Sequence, residues 1–264
     1  MDLGIKGKKA LVSASSDGIG LAIAKALSQE GANVYINGRS NEKVREAIKK
    51  IRQEGGIGEL WPAVYDLSTP AGAEDLIRHI PHVDILVNNL GIYEVKPFEE
   101  ITDEDWLKFF NINVLSGVRL SRFYFPKMKE TSWGRIIFIS SESGLQIPVE
   151  MIHYGVTKTA QIAVARGLAE MTIGTGITVN SVLPGPTNTS GVKKFISEVA
   201  ESKGITPEEV EKEFFENQRP SSLLKRFAEI EEVGEVTAFL CSEKASAING
   251  TAIRVEGGIV RSIG

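Results

Sequence analysis

An alternation of short apolar runs with helical patterns constrains this chain more than any other feature. The runs are "ALVSA" from residue 10, "NVYING" from 33, "DILVNN" from 84, "RIIFIS" from 135, "GITVNSVLP" from 176 and "GTAIRV" from 250. Most are near-continuous β-formers, the pattern of strands buried on both faces. Between them, "GLAIAKALSQEG" carries small and apolar residues on one stripe and stops at a glycine. "NEKVREAIKKIRQEGG" opens on an Asn cap and ends in a glycine pair. "TDEDWLKFFNINVLSGVRLSRFYFPKMKE" reads as one long helical stretch with a Thr-x-x-acid start, and "GVTKTAQIAVARGLAEM" as a helix with small residues on several faces. Strand and helix alternating at this spacing predict an α/β fold: a doubly wound parallel sheet with right-handed crossovers and helices on both faces. No repeat, low-complexity run or Pro/Gly/Ser linker divides the 264 residues, so one domain over 1–264 is expected.

The bulk numbers exclude several function classes. A net charge of −4 argues against a nucleic-acid surface, which wants a basic balance. One cysteine, Cys241, rules out an internal disulfide framework and fits a reducing compartment. "MDLGIKGKKALV" lacks the apolar core of a signal peptide, and no run reaches the about 18 apolar residues of a membrane span. The expectation is a soluble cytoplasmic protein with a small-molecule partner, no nucleic acid and no membrane.

The segment from 187 to about 230 breaks the rhythm. It is polar, charged and reads as two helices inserted before the return to the last strand. Such an excursion is either a substrate lid or a solvated accessory pair.

After the first strand comes "SASSDGIG", residues 13–20. A glycine-rich turn running into a helix aims backbone N–H groups and the positive helix end at a site fit for a pyrophosphate. Ala14, Ser15, Ser16, Asp17, Gly18, Ile19 and Gly20 are the residues of that turn. About 20 residues on, a dinucleotide fold often carries an acid for the ribose hydroxyls. Here Gly38 takes that place and Arg39 follows. A missing carboxylate beside a guanidinium suits a 2′-phosphate, which favours NADP while leaving NAD open. Asp66 and Leu67 in "YDLST" can accept from an adenine amino group and pack its ring; alone, Asp66 reads as a turn residue. Asn89 and Gly91 in "VNNLG" can bridge strand ends and let the backbone pass close to a ligand.

"YGVTK" places Tyr154 and Lys158 four residues apart, on one face of a helix. A free phenol titrates near 10, roughly three units too high for a base at neutral pH. A neighbouring ammonium favours the phenolate, so the pair can be a proton-transfer device. It can equally be two residues on a solvated face, and the spacing alone leaves both open.

Taken in order, S-A-x-x-x-G-I-G, N-N-L-G, the Asn of "NINV", Ser140-Ser141, Y-x-x-x-K and P-G resemble the short-chain dehydrogenase/reductase family in its plain one-domain form. The resemblance covers the chain from "KGKKALV" to "GTAIRVEGG", and Ser141 precedes Tyr154 by 13 residues as the family requires. It implies a Rossmann-like fold and interconversion of a secondary alcohol and a carbonyl by hydride transfer. It implies Tyr154 as general acid/base in contact with both cofactor and substrate, and Lys158 as the group that lowers the Tyr154 pKa and binds the nicotinamide ribose. Ser141 would polarise the substrate oxygen, and Asn113 would open the long helix around a proton-relay water. Pro184, Gly185, Thr187 and Thr189 would run past the nicotinamide and phosphates. Homo-oligomers, tetramers or dimers, would form through the long helices starting near 103 and 155. Two departures are Ala14 and Leu90, where the family usually has Gly and Ala.

For the substrate, Glu142, Gln146 and His153, with Tyr93 and Glu94, are polar candidates for a pocket wall, which suits a sugar or polyol. A 3-oxoacyl-thioester reductase acting on acyl carrier protein or CoA is the alternative. "ETSW" and "MTIGT" lack the basic residues such enzymes tend to show. Phe195, Phe214, Phe215, Leu223 and Leu224 could form an apolar lid that admits hydrophobic ketones. The rival of another class is a non-catalytic NADP-binding redox sensor. No metal is expected: His79-x-x-His82 contains Pro81 and has no cysteine nearby.

Overall fold

A computed structural model describes residues 2–263. Within them lie seven strands: β1 (Lys9–Val12), β2 (Asn33–Gly38), β3 (Leu60–Val64), β4 (Ile85–Asn88), β5 (Trp133–Ile139), β6 (Gly176–Pro184) and β7 (Ala252–Val255). All pair in parallel, in the order β3-β2-β1-β4-β5-β6-β7. Chain order therefore reverses between β1 and β4. In open α/β sheets the crevice beyond such a switch point is where ligands bind.

The continuous apolar runs follow from burial on both faces. Ala10, Val12, Ile85, Val87, Ile137 and Ile139 join one core cluster, whereas Leu11, Leu86, Ile136 and Phe138 join the other. The first cluster is covered by α1 (Gly18–Gln29), α2 (Asn41–Gln53) and α9 (Ile230–Leu240). The second is covered by α3 (Pro70–His79), α5 (Ser116–Thr131) and α6 (Ile152–Glu170). Each fully buried aliphatic side chain stabilises the sheet by about 1.5–3 kcal/mol. β3 "LWPAV" was absent from the six apolar runs because it is an edge strand with exposed Pro62 and Val64.

The long helical stretch is divided. α4 (Asp103–Phe109) passes through a π-helical turn, Phe110–Leu115, into α5. The Thr102–Asp105 capping box fixes its start. The excursion forms two helices, α7 (Ser190–Lys203) and α8 (Pro207–Asn217), with a small core of its own around Ile196, Val210, Phe215 and Phe227. No helix of the described residues is long and apolar enough to cross a membrane.

Candidate active site

The first turn is held open by side chains. Asn37 Oδ1 accepts from the Ala14 N–H at 2.9 Å, and Asn89 Nδ2 donates to the Ser13 and Ala14 carbonyls at 3.0 and 3.1 Å. Ser13 Oγ accepts from the N–H groups of Asn89 and Leu90. Ala14 sits at φ +51°, in the region where a side chain is strained. A Cβ on Gly20 would stand 2.4 Å from the Ala14 carbonyl oxygen, so only glycine lets α1 begin this close to the turn. Asp17 caps α1, accepting from Gly18 N–H at 2.7 Å and from Ser190 Oγ at 2.5 Å. Ser15 is buried, while Ser16, Gly18 and Ile19 are half-buried at the rim. Thr189 caps α7 and lies against Gly18. The chain thus brings two helix N-termini, those of α1 and α7, to the mouth of the switch-point crevice. The turn suits a pyrophosphate, because it aims the N-terminal end of α1 out of a glycine-rich loop, and Gly20 is what lets that helix start against Ala14, Asn89 and Ser15.

Beside this cradle stands the Tyr154–Lys158 pair on α6. Lys158 is buried; its Nζ donates to the Ile139 carbonyl at 2.9 Å and to Gln161 Oε1 at 3.2 Å. It lies 5.6 Å from the centre of the Tyr154 ring. Burial pulls the Lys158 pKa down to about 8, against the opposing pull of Glu142. Tyr154 differs from expectation. Its pKa is raised, first by burial and then by the Glu142 charge, with the Ser141 hydroxyl pulling it back. Lys158 spends its hydrogen bonds on acceptors other than the phenol, and burial outweighs the influences that would lower the Tyr154 pKa.

Asn113 anchors the π turn. Its Oδ1 accepts from Ile92 N–H at 2.8 Å, and its Nδ2 donates to the Ile92 carbonyl at 3.0 Å and to Thr157 Oγ1 at 2.9 Å. Its main-chain carbonyl accepts from Gln161 Nε2 at 2.5 Å. Gly91 faces this group, with room for a Cβ only 3.4 Å from Lys158 Nζ.

Ser141 follows β5 and donates to Glu142 Oε2 at 2.5 Å. Arg219, in the loop after α8, reaches Glu142 at 3.4 Å and Glu150 at 3.3 Å. Glu142 and the Arg219 side chain are both nearly buried. Tyr93 closes one side, its ring centre 6.4 Å from that of Tyr154.

Several anticipated residues are placed differently. His153 is fully buried against Phe109 and Trp106, with neither ring nitrogen hydrogen-bonded, so it does not line the pocket. Its position one residue before Tyr154 turns it about 100° around the helix axis and into contact with Trp106 and Phe109 of α4. The Leu67 side chain is buried in the core, and half-buried Asp66 accepts from the Ser68 N–H and Oγ through Oδ1. Gln146 is exposed. Phe214 and Phe215 pack on Phe227 inside the excursion, 5.1 and 5.2 Å between ring centres, whereas Phe195, Leu223 and Leu224 stay exposed. Arg39 is exposed just past Gly38, where an added Cβ would come 2.9 Å from Ser16 Oγ. Pro184 is buried at the end of β6, Gly185 packs on the Glu256 backbone, and Thr187 Oγ1 donates to the Gly185 carbonyl at 2.8 Å. Sequence reasoning missed Gln161, Asn37, Glu150 and Arg219. Only Gln161, three residues after Lys158 on the same helix, carried a local signal.

Known proteins resemble this chain over its whole length. The family model described as short chain dehydrogenase matches residues 8–200. An uncharacterized oxidoreductase of Bacillus subtilis (strain 168), YvaG, is 45% identical over 263 residues, covering 100% of both chains. A D-beta-hydroxybutyrate dehydrogenase of Cupriavidus necator is 34% identical, covering 97% of this chain and 99% of that one. The crystal structure of L-sorbose reductase from Gluconobacter frateurii, complexed with NADPH and L-sorbose, superposes with a TM-score of 0.92 at 32% identity over 100% of both chains. This chain belongs to the short-chain dehydrogenase/reductase family, as an oxidoreductase acting on CH–OH groups.

Proposed function

We propose that this enzyme interconverts a secondary alcohol and a carbonyl on a sugar or polyol, using NADP. The bound nicotinamide cofactor supplies the hydride donor or acceptor and, when oxidised, a positive charge. Tyr154 holds and moves the proton at the substrate oxygen. Ser141 turns its one hydroxyl proton from Glu142 to that oxygen, where charge develops. Lys158 supplies a fixed positive charge behind Tyr154 and a donor for the cofactor ribose. Asn113 keeps the π turn in place beneath them. The backbone of Ala14 to Gly20, with Asn89, Gly91, Pro184, Gly185, Thr187 and Thr189, frames the dinucleotide.

The observation that carries the substrate class is Glu142. A nearly buried carboxylate beside Ser141, balanced by Arg219, offers an acceptor to a hydroxyl next to the reacting carbon. The same charge disfavours an anionic substrate, since Glu142 and Glu150 share one guanidinium. The likeness to the sorbose reductase supports this reading. The exposed Leu223 and Leu224 favour the second reading, a 3-oxoacyl-thioester reductase. Turnover of a panel of ketoses and polyols against acetoacetyl thioesters, with both cofactors, separates the two. Faster turnover of the thioesters overturns the first.

For the cofactor, an exposed Arg39 follows a strand end at Gly38 that offers no carboxylate, a pairing that suits a 2′-phosphate. Arg39→Ala is predicted to raise the NADPH KM about 10-fold or more and leave NADH unchanged, the worth of a charge-assisted hydrogen bond. We assign a cytoplasmic homo-oligomer, a dimer or tetramer. The exposed Leu107, Phe110 and Val156 on the outer faces of α4, the π turn and α6 support it. Sedimentation giving a monomer at micromolar concentration would remove that assignment.

A further inference from the structure

Lys158 carries its charge in a buried place, and such a group must be held by acceptors that do not cancel it. Its ammonium has three N–H donors. One goes to the Ile139 carbonyl at 2.9 Å and one to Gln161 Oε1 at 3.2 Å, and neither acceptor is ionised. Gln161 is itself 1% exposed. The other end of its amide donates to the Asn113 carbonyl at 2.5 Å. That carbonyl belongs to the π turn, where the helical ladder is re-registered. Asn113 closes a ring by donating to Thr157 on the same helix as Lys158. The amide therefore spans the space between the ammonium and the π turn.

The choice of residue matters. A carboxylate at 161 would pair with Lys158 and neutralise its field at Tyr154. A hydrocarbon would leave the Asn113 carbonyl and one Lys158 donor without this partner. An amide satisfies both ends and adds no charge. It also has no proton that titrates near neutrality, so it orients and does not relay.

We infer that Gln161 is a positioning residue of the proton-transfer pair, holding the Lys158 ammonium in place by tying it to the π turn at Asn113. The inference rests on reading Tyr154 and Lys158 as the acid/base pair. The charged or titratable groups around that pair are Glu142 after β5, Arg219 after α8 and Tyr93 after β4.

The test uses the full-length enzyme with Gln161→Glu, Gln161→Met and, as reference, Tyr154→Phe. Three quantities are read: the pH profile of kcat/KM for alcohol oxidation, kcat against KM, and the melting temperature. Gln161→Glu is expected to move the rising limb up by about one pH unit, because the new carboxylate cancels the ammonium. Gln161→Met is expected to lower kcat about tenfold while the substrate KM changes less than about threefold. Folded variants with wild-type kcat and an unmoved profile overturn the inference. So does failure of both variants to fold, which would make Gln161 purely structural. If Tyr154→Phe keeps turnover, the acid/base reading falls first. A dead Tyr154→Phe beside wild-type-like Gln161 variants removes the role of Gln161 alone.

Discussion

The Ser141 hydroxyl donates to the Glu142 carboxylate at 2.5 Å, so the group proposed to polarise the substrate oxygen is already bonded to its neighbour's charge. That charge acts on the whole site. Burial sets the direction of the shift at both Tyr154 and Lys158, and Glu142 raises both. Glu142→Gln keeps an acceptor and removes the charge. The rising limb of alcohol oxidation should then move down, by about half to one pH unit, because Tyr154 loses a neighbour that favours its protonated form. A pH–rate profile checks it; an unmoved or upward-shifted limb contradicts it.

Arg219 ties the excursion to the site through Glu142 and Glu150. Arg219→Met retains much of the apolar stem and removes the guanidinium, whose centre lies 5.8 Å from that of the Phe214 ring. Glu142 is then left nearly buried without its cation. We expect a loss of about 2 kcal/mol in stability and about a tenfold rise in KM for a hydroxylated substrate. Denaturant titration and steady-state kinetics measure both.

Ala14 occupies φ +51°, a left-handed conformation that costs about 1–2 kcal/mol for a residue with a Cβ. Ala14→Gly removes that strain but gains chain entropy in the unfolded state, about 0.5–1 kcal/mol. The net should be a gain of about half to one kcal/mol in unfolding free energy. A lower melting temperature in the variant would show that the turn is not strained at this residue.

His153 makes a pH prediction. Burial lowers its pKa from the ordinary 6.5, so the unfolded chain binds a proton that the folded chain refuses. Its contribution is fully present above about pH 6.5 and is lost as pH falls from there toward the folded value. The slope is at most about 1.4 kcal/mol per pH unit. His153→Leu should flatten the decline in stability between about pH 6.5 and 5, read by denaturant unfolding at several pH values. Parallel curves for the two proteins would contradict it.

The strands were legible because both sheet faces are covered. Leu11 and Val12 point to opposite cores, yet both must be apolar, and that leaves a continuous run in the sequence. β3 was weaker because an edge strand relaxes that demand. Tyr154, Lys158 and Gln161 share one helix, so spacing could place them together. Glu142 and Arg219 lie 77 residues apart, and only the folding of the excursion over the strand ends joins them. His153 misled because its side chain type suits a pocket wall, while its helical position turns it against Phe109. The break at the π turn was legible only through the resemblance, which has Asn113 open the long helix; local periodicity does not show it, because the Asn113–Ile92 bonds are tertiary.

The most direct test of the account is the oxidation of NADPH by Tyr154→Phe with a ketose, followed by nicotinamide absorbance, beside a measurement of NADPH binding. The account predicts nearly unchanged binding, because the phenol oxygen is one contact among the many that frame the dinucleotide. It predicts a fall in kcat of about 10²-fold or more, the usual worth of a positioned proton donor. Wild-type turnover in that variant would contradict it.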